Sequence, residues 1–460
     1  MKKKLAKSVG FVSLGCSKAL VDSEKLINSL TSDGVNIVDS FEEADVVVVN
    51  TCGFIDSAVS ESLSAIEEAK KKNGKVLITG CLGAKRDING SLFLNKEKIG
   101  ALEITGPNEI EETSVLLKRH LGIEKNTLQA KKTEIRLTPH HYAFIKISEG
   151  CDQKCTFCII PSMRGRLVSR SVTDVLNEAK RLVKVGVREL IVISQDSGAY
   201  GRDRRYKTEF INGTPVKSNI VGLIQELKKL KVWIRVHYLY PYPSVDNIVP
   251  MMADRNSVNE VISSRNGIVP YIDMPFQHAH PEILKRMRRP GKSEKIIDRI
   301  KTWREICENL TIRSTFIVGF PGETEEHFCY LLDFLKEVKL DRVGCFSYSD
   351  VFGAEANQLS NPVPDEIKEE RKRILLSEQA NISENRLERW NGKLVEVIIE
   401  GVDQDTGILL GRGPGDSPDV DGIVEINSKG ESVHKVEIGN FSLVRIVGNN
   451  EHDLISEFVS

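Results

Sequence analysis

Three of the nine cysteines fall in one short stretch, Glu149-Gly-Cys151-Asp-Gln-Lys-Cys155-Thr-Phe-Cys158. Three thiolates on one loop can hold three irons of a 4Fe–4S cluster. A ferredoxin-type motif would supply a fourth Cys nearby, and none follows, so the fourth iron is open to a ligand from outside the chain. Zinc is the competing reading, but it prefers four protein ligands and paired cysteines. A second set, Cys16, Cys52 and Cys81, has no fixed spacing. Each residue instead closes a short apolar run: Val-Ser-Leu-Gly-Cys16, Val-Val-Asn-Thr-Cys52 and Leu-Ile-Thr-Gly-Cys81. In a parallel sheet the C-terminal ends of the strands share one edge, where ligands bind. Three Cys at that edge can converge on a second cluster with its own open iron, although a single such Cys is more often a small buried hydrophobe. Cys307 and Cys329 lie in amphipathic helical stretches and Cys345 in a strand run, so all three read as core.

The elements that must position these residues follow from periodicity. Over 8–120 three β-branched runs (Val9–Leu14, Ala44–Asn50, Lys75–Thr79) alternate with helical spacing at Ser23–Asp33 and Ser57–Lys72, the pattern of a doubly wound α/β domain. Residues 122–138 are polar and read as a linker. From 140 to 350 six strand candidates recur: Tyr142–Ser148, Glu189–Gln195, Trp233–Tyr240, Val269–Phe276, Ile312–Phe320 and Arg342–Ser349. Helical stretches such as Val172–Val185, Ser293–Leu310 and Thr324–Leu340 separate them. Six βα units fit an open partial barrel rather than a closed one of eight. The Cys151 loop starts where the first of these strands ends. Polar groups also follow later strands: Ser194–Ser197, Tyr240–Tyr242, Gln277-His278 and Gly319–Glu323. Polar residues after successive strands of one barrel point to a shared pocket, and the Gly-rich turn suits close approach of backbone to a ligand. Tyr206–Ser218 reads as a loop. A charged helical connector spans 365–390, and beyond Trp390 short strands (Lys393–Val402, Gly407–Gly411, Gly422–Asn427, Phe441–Val447) suggest a small all-β barrel.

Composition narrows the function classes. The 460 residues carry a net charge of −1, which excludes a globally basic nucleic-acid binder but not a local patch. Residues 391–460 hold 13 acidic and 5 basic side chains, a net −8, against +7 for 1–390. The loop Asp416-Ser-Pro-Asp419-Val-Asp421 concentrates acid in a turn that ought to expose it, as a dock for a basic protein. No apolar run approaches the roughly 18–20 residues of a membrane helix. No signal peptide is read, so the expected compartment is the cytoplasm and the cysteines are thiols or metal ligands rather than a disulfide framework.

The Cys151/Cys155/Cys158 motif, with Phe157 before its last Cys, resembles the radical S-adenosylmethionine superfamily. The whole chain resembles its methylthiotransferase branch: an N-terminal three-Cys domain, a radical barrel and a C-terminal TRAM barrel. Asn50-Thr-Cys-Gly-Phe-Ile-Asp-Ser57, Cys158-Ile-Ile-Pro-Ser-Met-Arg-Gly165, Ile193-Ser-Gln-Asp196, Tyr240-Pro-Tyr-Pro243 and Ser314-Thr-Phe-Ile-Val-Gly-Phe-Pro-Gly-Glu-Thr324 are similar to the enzymes that modify an aspartate of small-subunit ribosomal protein twelve. One departure is His280, where the pattern leads us to expect Ser.

The resemblance implies domains at 8–121, 139–375 and 391–457. It implies a cluster on Cys151, Cys155 and Cys158 that binds S-adenosylmethionine and yields a 5′-deoxyadenosyl radical. That radical takes hydrogen from the aspartate β-carbon, which no protein base could deprotonate near neutral pH. A second cluster on Cys16, Cys52 and Cys81 would present the sulfur that a second S-adenosylmethionine methylates. Phe157 would pack on the adenosyl group, with Gln195, Gln277 and Gly319 as further cofactor contacts. The implied partners are a basic small-subunit ribosomal protein as substrate, an external one-electron reductant and a sulfur donor. Two rivals are the same chemistry on a tRNA adenosine and a non-catalytic two-cluster electron carrier; the carrier needs neither an open iron nor the large barrel.

Overall fold

The computed structural model describes residues 7–86, 90–123, 134–253, 261–262, 267–289, 293–427 and 437–459; most of the expected linker lies outside them. The chain divides into two compact units. One comprises Met1–Thr138, Glu149–Val168 and Ser349–Asn357, the other Pro139–Ser148, Ser169–Tyr348 and Gln358–Ser460.

In the first unit the described residues form a parallel sheet of five strands, β1 (Ser8–Ser13), β2 (Asn36–Val38), β3 (Val46–Thr51), β4 (Val76–Gly80) and β5 (Glu103–Ile104), in the order β2-β1-β3-β4-β5. This is a doubly wound order whose switch point lies between β1 and β3. All six residues of β3 are buried, as a central parallel strand covered on both faces requires. Val46 and Val48 pack with Leu26 and Leu30 of α1 (Ser17–Ser32), on one face of the sheet. Val47 and Val49 pack on the other with Val59 and Ile66 of α2 (Asp56–Lys72). Helices α3 (Cys81–Ala84), α4 (Ile110–Leu121) and α5 (Ile160–Arg164) also belong to this unit, with a short helical turn at Lys96–Ile99. The two edge strands, β2 and β5, are too short to carry a period and have no counterpart among the expected elements.

In the second unit six parallel strands stand side by side in chain order: β6 (Tyr142–Lys146), β7 (Glu189–Ile193), β10 (Trp233–Val236), β11 (Ile268–Asp273), β12 (Thr311–Val318) and β13 (Arg342–Ser347). Between β7 and β10 the segment expected as a loop is an antiparallel hairpin, β8 (Thr208–Ile211) and β9 (Thr214–Lys217). The surrounding helices are α6 (Val172–Lys184), α7 (Ile220–Lys228), α8 (Pro281–Arg286), α9 (Ser293–Ile306), α10 (Glu325–Val338) and α11 (Asp365–Leu387). This is the open partial barrel expected from sequence. The helix-facing side of its central strands is apolar: Val192, Ile234, Ile272 and Ile312 share one core with Leu176, Leu223 and Leu331 of the helices, whereas the opposite side carries charges such as Arg235 and Asp273. Cys307 and Cys345 are buried as expected, whereas Cys329 is exposed; the period of α10 turns it away from the core.

The C-terminal strands β14 (Leu394–Val402), β15 (Leu409–Arg412), β16 (Val424–Asn427), β17 (Phe441–Asn449) and β18 (Leu454–Phe458) close on themselves, because β14 pairs with both β15 and β17. The fifth strand, β18, has no counterpart among the strands expected from sequence.

The acidic loop of this small barrel corrects an expectation. Asp416 is 3% exposed and accepts from Arg342 Nη2 at 2.6 Å. Asp421 accepts from the Tyr271 hydroxyl at 2.6 Å, and Ser417 Oγ lies 2.9 Å from His237 Nε2. Arg412 pairs with both Glu189 (2.5 Å) and Glu400 (2.8 Å), and Arg235 Nη1 donates to the Pro414 carbonyl at 2.9 Å. The loop therefore folds onto the N-terminal ends of the parallel strands, where Glu189 and Arg342 begin β7 and β13, and its acids meet buried guanidinium groups. Of its three acids only Asp419 keeps an exposed position.

Candidate active site

The three strand-end cysteines come together in the first unit. Cys16 follows β1 at the switch point and precedes α1, with its carbonyl accepting from the Leu20 N–H at 3.1 Å. Cys52 follows β3, and Ser62 Oγ both donates to its carbonyl (2.9 Å) and accepts from its N–H (3.0 Å). Cys81 opens α3 immediately after β4. The turn between β1 and Cys16 can run this close to Cys52 because residue 15 is glycine: a Cβ there would stand 3.1 Å from Cys52 Cβ and 3.4 Å from its Sγ.

The second set of cysteines lies on the loop that leads into α5. Cys151 N–H donates to the Gly165 carbonyl at 3.1 Å, and Cys158 N–H to the Cys155 carbonyl at 3.1 Å. Backbone N–H groups also point at two of the sulfurs, Gln153 at Cys151 Sγ (3.4 Å) and Ile160 at Cys158 Sγ (3.5 Å). Such donors favour the thiolate form, in which sulfur binds metal. Phe157 is half-buried on this loop.

Arg164 joins the two sets. It ends α5, is buried, and its Nε donates to Cys81 Sγ at 3.3 Å, while Nη1 donates to Asp22 (3.1 Å) and Glu149 (3.0 Å). Its Nη2 is buried without a partner. Burial pushes the Cys81 thiol up to about 11, against the pull of Arg164. Cys52 is raised by burial as well. At Cys16 desolvation pushes upward, but Lys18, the Ala19 N–H and Arg164 together hold the thiol below its ordinary value. In the sequence Arg164 is only a letter of a motif; a buried arginine leaves no periodic signal by which to find it.

Each donor set is three thiols, the ligand type that holds a 4Fe–4S cluster. Among the described residues the one group of three His, Cys, Asp or Glu ligand atoms all within 4.8 Å of one another is His280, Glu282 and His327. Neither cysteine set is drawn in to the sulfur spacing of about 3.8 Å that tetrahedral zinc requires. The His280 group has another role: His280 Nδ1 accepts from the Glu282 N–H and His327 Nδ1 from the Thr324 N–H, capping α8 and α10.

The strand-end polar residues of the second unit form two connected groups. After β7, Asp196 accepts from the Tyr242 hydroxyl at 2.9 Å and from the Ala199 N–H at 3.2 Å, and Gln195 beside it is half-buried. After β11, Gln277 takes a left-handed backbone (φ 71°) and ties to β12 through its N–H to Thr315 and its carbonyl to Ile317. His278 is buried with Nε2 3.5 Å from Glu323 Oε2, which accepts from the Gly319 N–H at 2.9 Å. Gly319 is glycine for a packing reason, since a Cβ there would stand 2.2 Å from Lys368 Cγ.

Comparison with known proteins is consistent with this arrangement. Residues 145–335 match the radical SAM superfamily, residues 8–98 the uncharacterized protein family UPF0004, and residues 392–459 the TRAM domain. The ribosomal protein uS12 methylthiotransferase RimO of Burkholderia cenocepacia (strain HI2424) is 50% identical over 98% of both chains. That of Paraburkholderia phytofirmans is 50% identical over 98% of this chain and 97% of its own. The chain belongs to the ribosomal protein uS12 methylthiotransferase family. The methylthiotransferase fold also resembles a solved radical SAM methyltransferase, TsrM from Kitasatospora setae, at a TM-score of 0.53 and 12% identity, covering 82% of this chain and 89% of that one. No described helix of this methylthiotransferase is long and apolar enough to cross a membrane.

Proposed function

We propose that this chain methylthiolates the β-carbon of an aspartate in ribosomal protein uS12, in the cytoplasm, with residues 8–121, 139–375 and 391–457 as its functional domains. Cys151, Cys155 and Cys158 would hold one 4Fe–4S cluster and Cys16, Cys52 and Cys81 a second. Bound there, the clusters and S-adenosylmethionine supply the radical and the sulfur that no side chain can. The chain's own part is to bind and orient. Gln153 and Ile160 N–H groups stabilise the thiolates of one set. Arg164 places a fixed positive charge against Cys81 of the other. Phe157, Gln195, Gln277 and Gly319 are proposed to contact S-adenosylmethionine. A reductant, a sulfur donor and the basic substrate protein come from outside.

The observation that carries this reading is that Arg164, which closes the helix starting just after Cys158, donates to Cys81. Two tests separate the reading from its rivals. Anaerobically reconstituted protein should bind about eight irons, four per cluster, and the Cys151/Cys155/Cys158→Ala variant about half. A wild type that never exceeds four irons rules out the second cluster. Mass spectrometry of uS12 and of tRNA from cells lacking the gene should show the methylthio group missing from the protein; its loss from tRNA instead would establish the adenosine reading.

A further inference from the structure

The hairpin between β7 and β10 is built outward. In its register Phe210 faces Pro215 and Thr208 faces Lys217, while Ile211 and Val216 lie on the other face, buried in the core of the unit. Alternation along a strand therefore puts Thr208, Phe210, Pro215 and Lys217 on the solvent face, and Phe210 is 72% exposed. The turn before it adds Arg202, Arg205, Tyr206 and Lys207, all exposed.

Charge is sorted across this segment. Residues 202–217 carry five basic and two acidic side chains. Both acids are engaged within the fold: Asp203 accepts from the Ser169 N–H at 2.9 Å, and Glu209 from the Val172 and Thr173 N–H groups at the start of α6, as well as pairing with Arg204. Arg202, Arg205, Lys207 and Lys217 remain outside, beside two exposed rings, Tyr206 and Phe210. The backbone is strained at this point. Arg205 and Tyr206 both have φ of 52°, a left-handed pair that is kept where the surroundings or a function demand it.

We propose that this surface docks unpaired RNA of the small ribosomal subunit. The inference rests on the function proposed above, because it concerns the setting in which the substrate protein is met. Cations neutralise phosphates and exposed rings stack on unpaired bases. The substrate protein, being basic, is repelled by such a patch, whereas the RNA around it is drawn in.

The test uses the reconstituted full-length protein, a variant combining Arg202→Gln, Arg205→Gln, Lys207→Gln and Lys217→Gln, and Phe210→Ser. Binding to purified small ribosomal subunits is measured against salt, with total tRNA and free uS12 as the other arms. The four-fold variant should bind subunits at least about tenfold more weakly, with a log–log salt dependence flatter by about 0.7 for each phosphate that is no longer neutralised. Phe210→Ser should weaken binding by about fivefold or more. Both variants should methylthiolate free uS12 and cleave S-adenosylmethionine like the wild type, which also shows that they fold. Unchanged affinity for subunits, an equal loss on free uS12, or tRNA bound as tightly as subunits each overturns the proposal. A wild type that cannot modify uS12 at all would instead overturn the proposed function and leave the binding arms to judge the surface separately.

Discussion

Arg164 divides one guanidinium among a thiol and two carboxylates, all in little-solvated surroundings. Replacing it with Gln takes this buried positive charge away from both Asp22 and Glu149, a loss of about 3–5 kcal/mol where one partner of a buried ion pair is removed. Arg164→Gln should therefore lower the denaturation midpoint of the apoprotein, and the reconstituted protein should retain less iron. Arg164→Lys, which keeps charge but not the fork, should recover stability better than iron. His237 responds to pH. Burial, countered in part by Asp273, pushes it down to about 4, against 6.5 when unfolded. The fold thus rejects a proton that the unfolded chain accepts, so stability is lost as pH falls from about 6.5 towards 4. At pH 5 this site should contribute a loss of about 2 kcal/mol. Urea midpoints at pH 7.5 and 5.0 should drop further for the wild type than for His237→Asn; equal drops would mean that His237 is not the group responsible. Of the residues in the candidate site, the cysteines are legible in the sequence because Cys is rare and spacing is readable. Arg164 is not, since nothing in Pro-Ser-Met-Arg-Gly says that its arginine turns inward.

Among the elements, the six strands of the parallel barrel and the helices α1, α2, α6, α9, α10 and α11 are legible, whereas α4, α7 and β18 are not, and the strand errors have a direction. The six expected barrel strands run two to four residues past the ends of β6, β7, β10, β11, β12 and β13. Their apolar text continues into the turns, where the chain leaves the sheet to present Gln195, Tyr240, Gln277 and Gly319. The hairpin β8–β9 reads as loop because its outer face is polar apart from Phe210 and Pro215, leaving only Ile211 and Val216 as inward signals. One carboxylate gathers the basic side chains at the C-terminal end of helix α11. Asp341 accepts from the Ile312 N–H, from Arg386 Nε and from Arg389 Nη1, so it ties the end of α11 to the sheet. Despite the opposing effect of burial, these arginines and Arg304 hold its carboxyl well below the usual carboxylate range. That contribution is fully present above about pH 4 and is lost as acid protonates the group. Asp341→Asn should cost about 3–5 kcal/mol at neutral pH and raise hydrogen exchange in α11 before the rest of the unit.

At the scale of the whole molecule, the charge of −8 on residues 391–460 misleads in an instructive way. Composition counts charges, whereas partners see only those left in water. Asp416 and Asp421, which the sequence offers as an exposed turn, are committed to Arg342, Tyr271 and Arg313. The C-terminal barrel therefore acts on the parallel barrel from the end opposite the strand C-termini. Ending the chain after Trp390 would uncover Glu189, Arg235, Arg313 and Arg342 together with Trp233, whose ring lies 5.0 Å from Phe441. Such a chain should aggregate or melt at markedly lower temperature, and a well-folded, monomeric 1–390 would show that the seal is dispensable.

This seal also bears on how such chains diversify. The three matched segments look like interchangeable modules, yet the last two are written in each other's charges. A lineage that received a C-terminal barrel from a distant relative would inherit Asp416 and Arg412 without the Arg342 and Glu189 that neutralise them. Substitutions at these paired positions should therefore travel together among relatives, and recombination breakpoints should avoid the connector 365–390. Exchange of the first 121 residues meets no such constraint from these pairs.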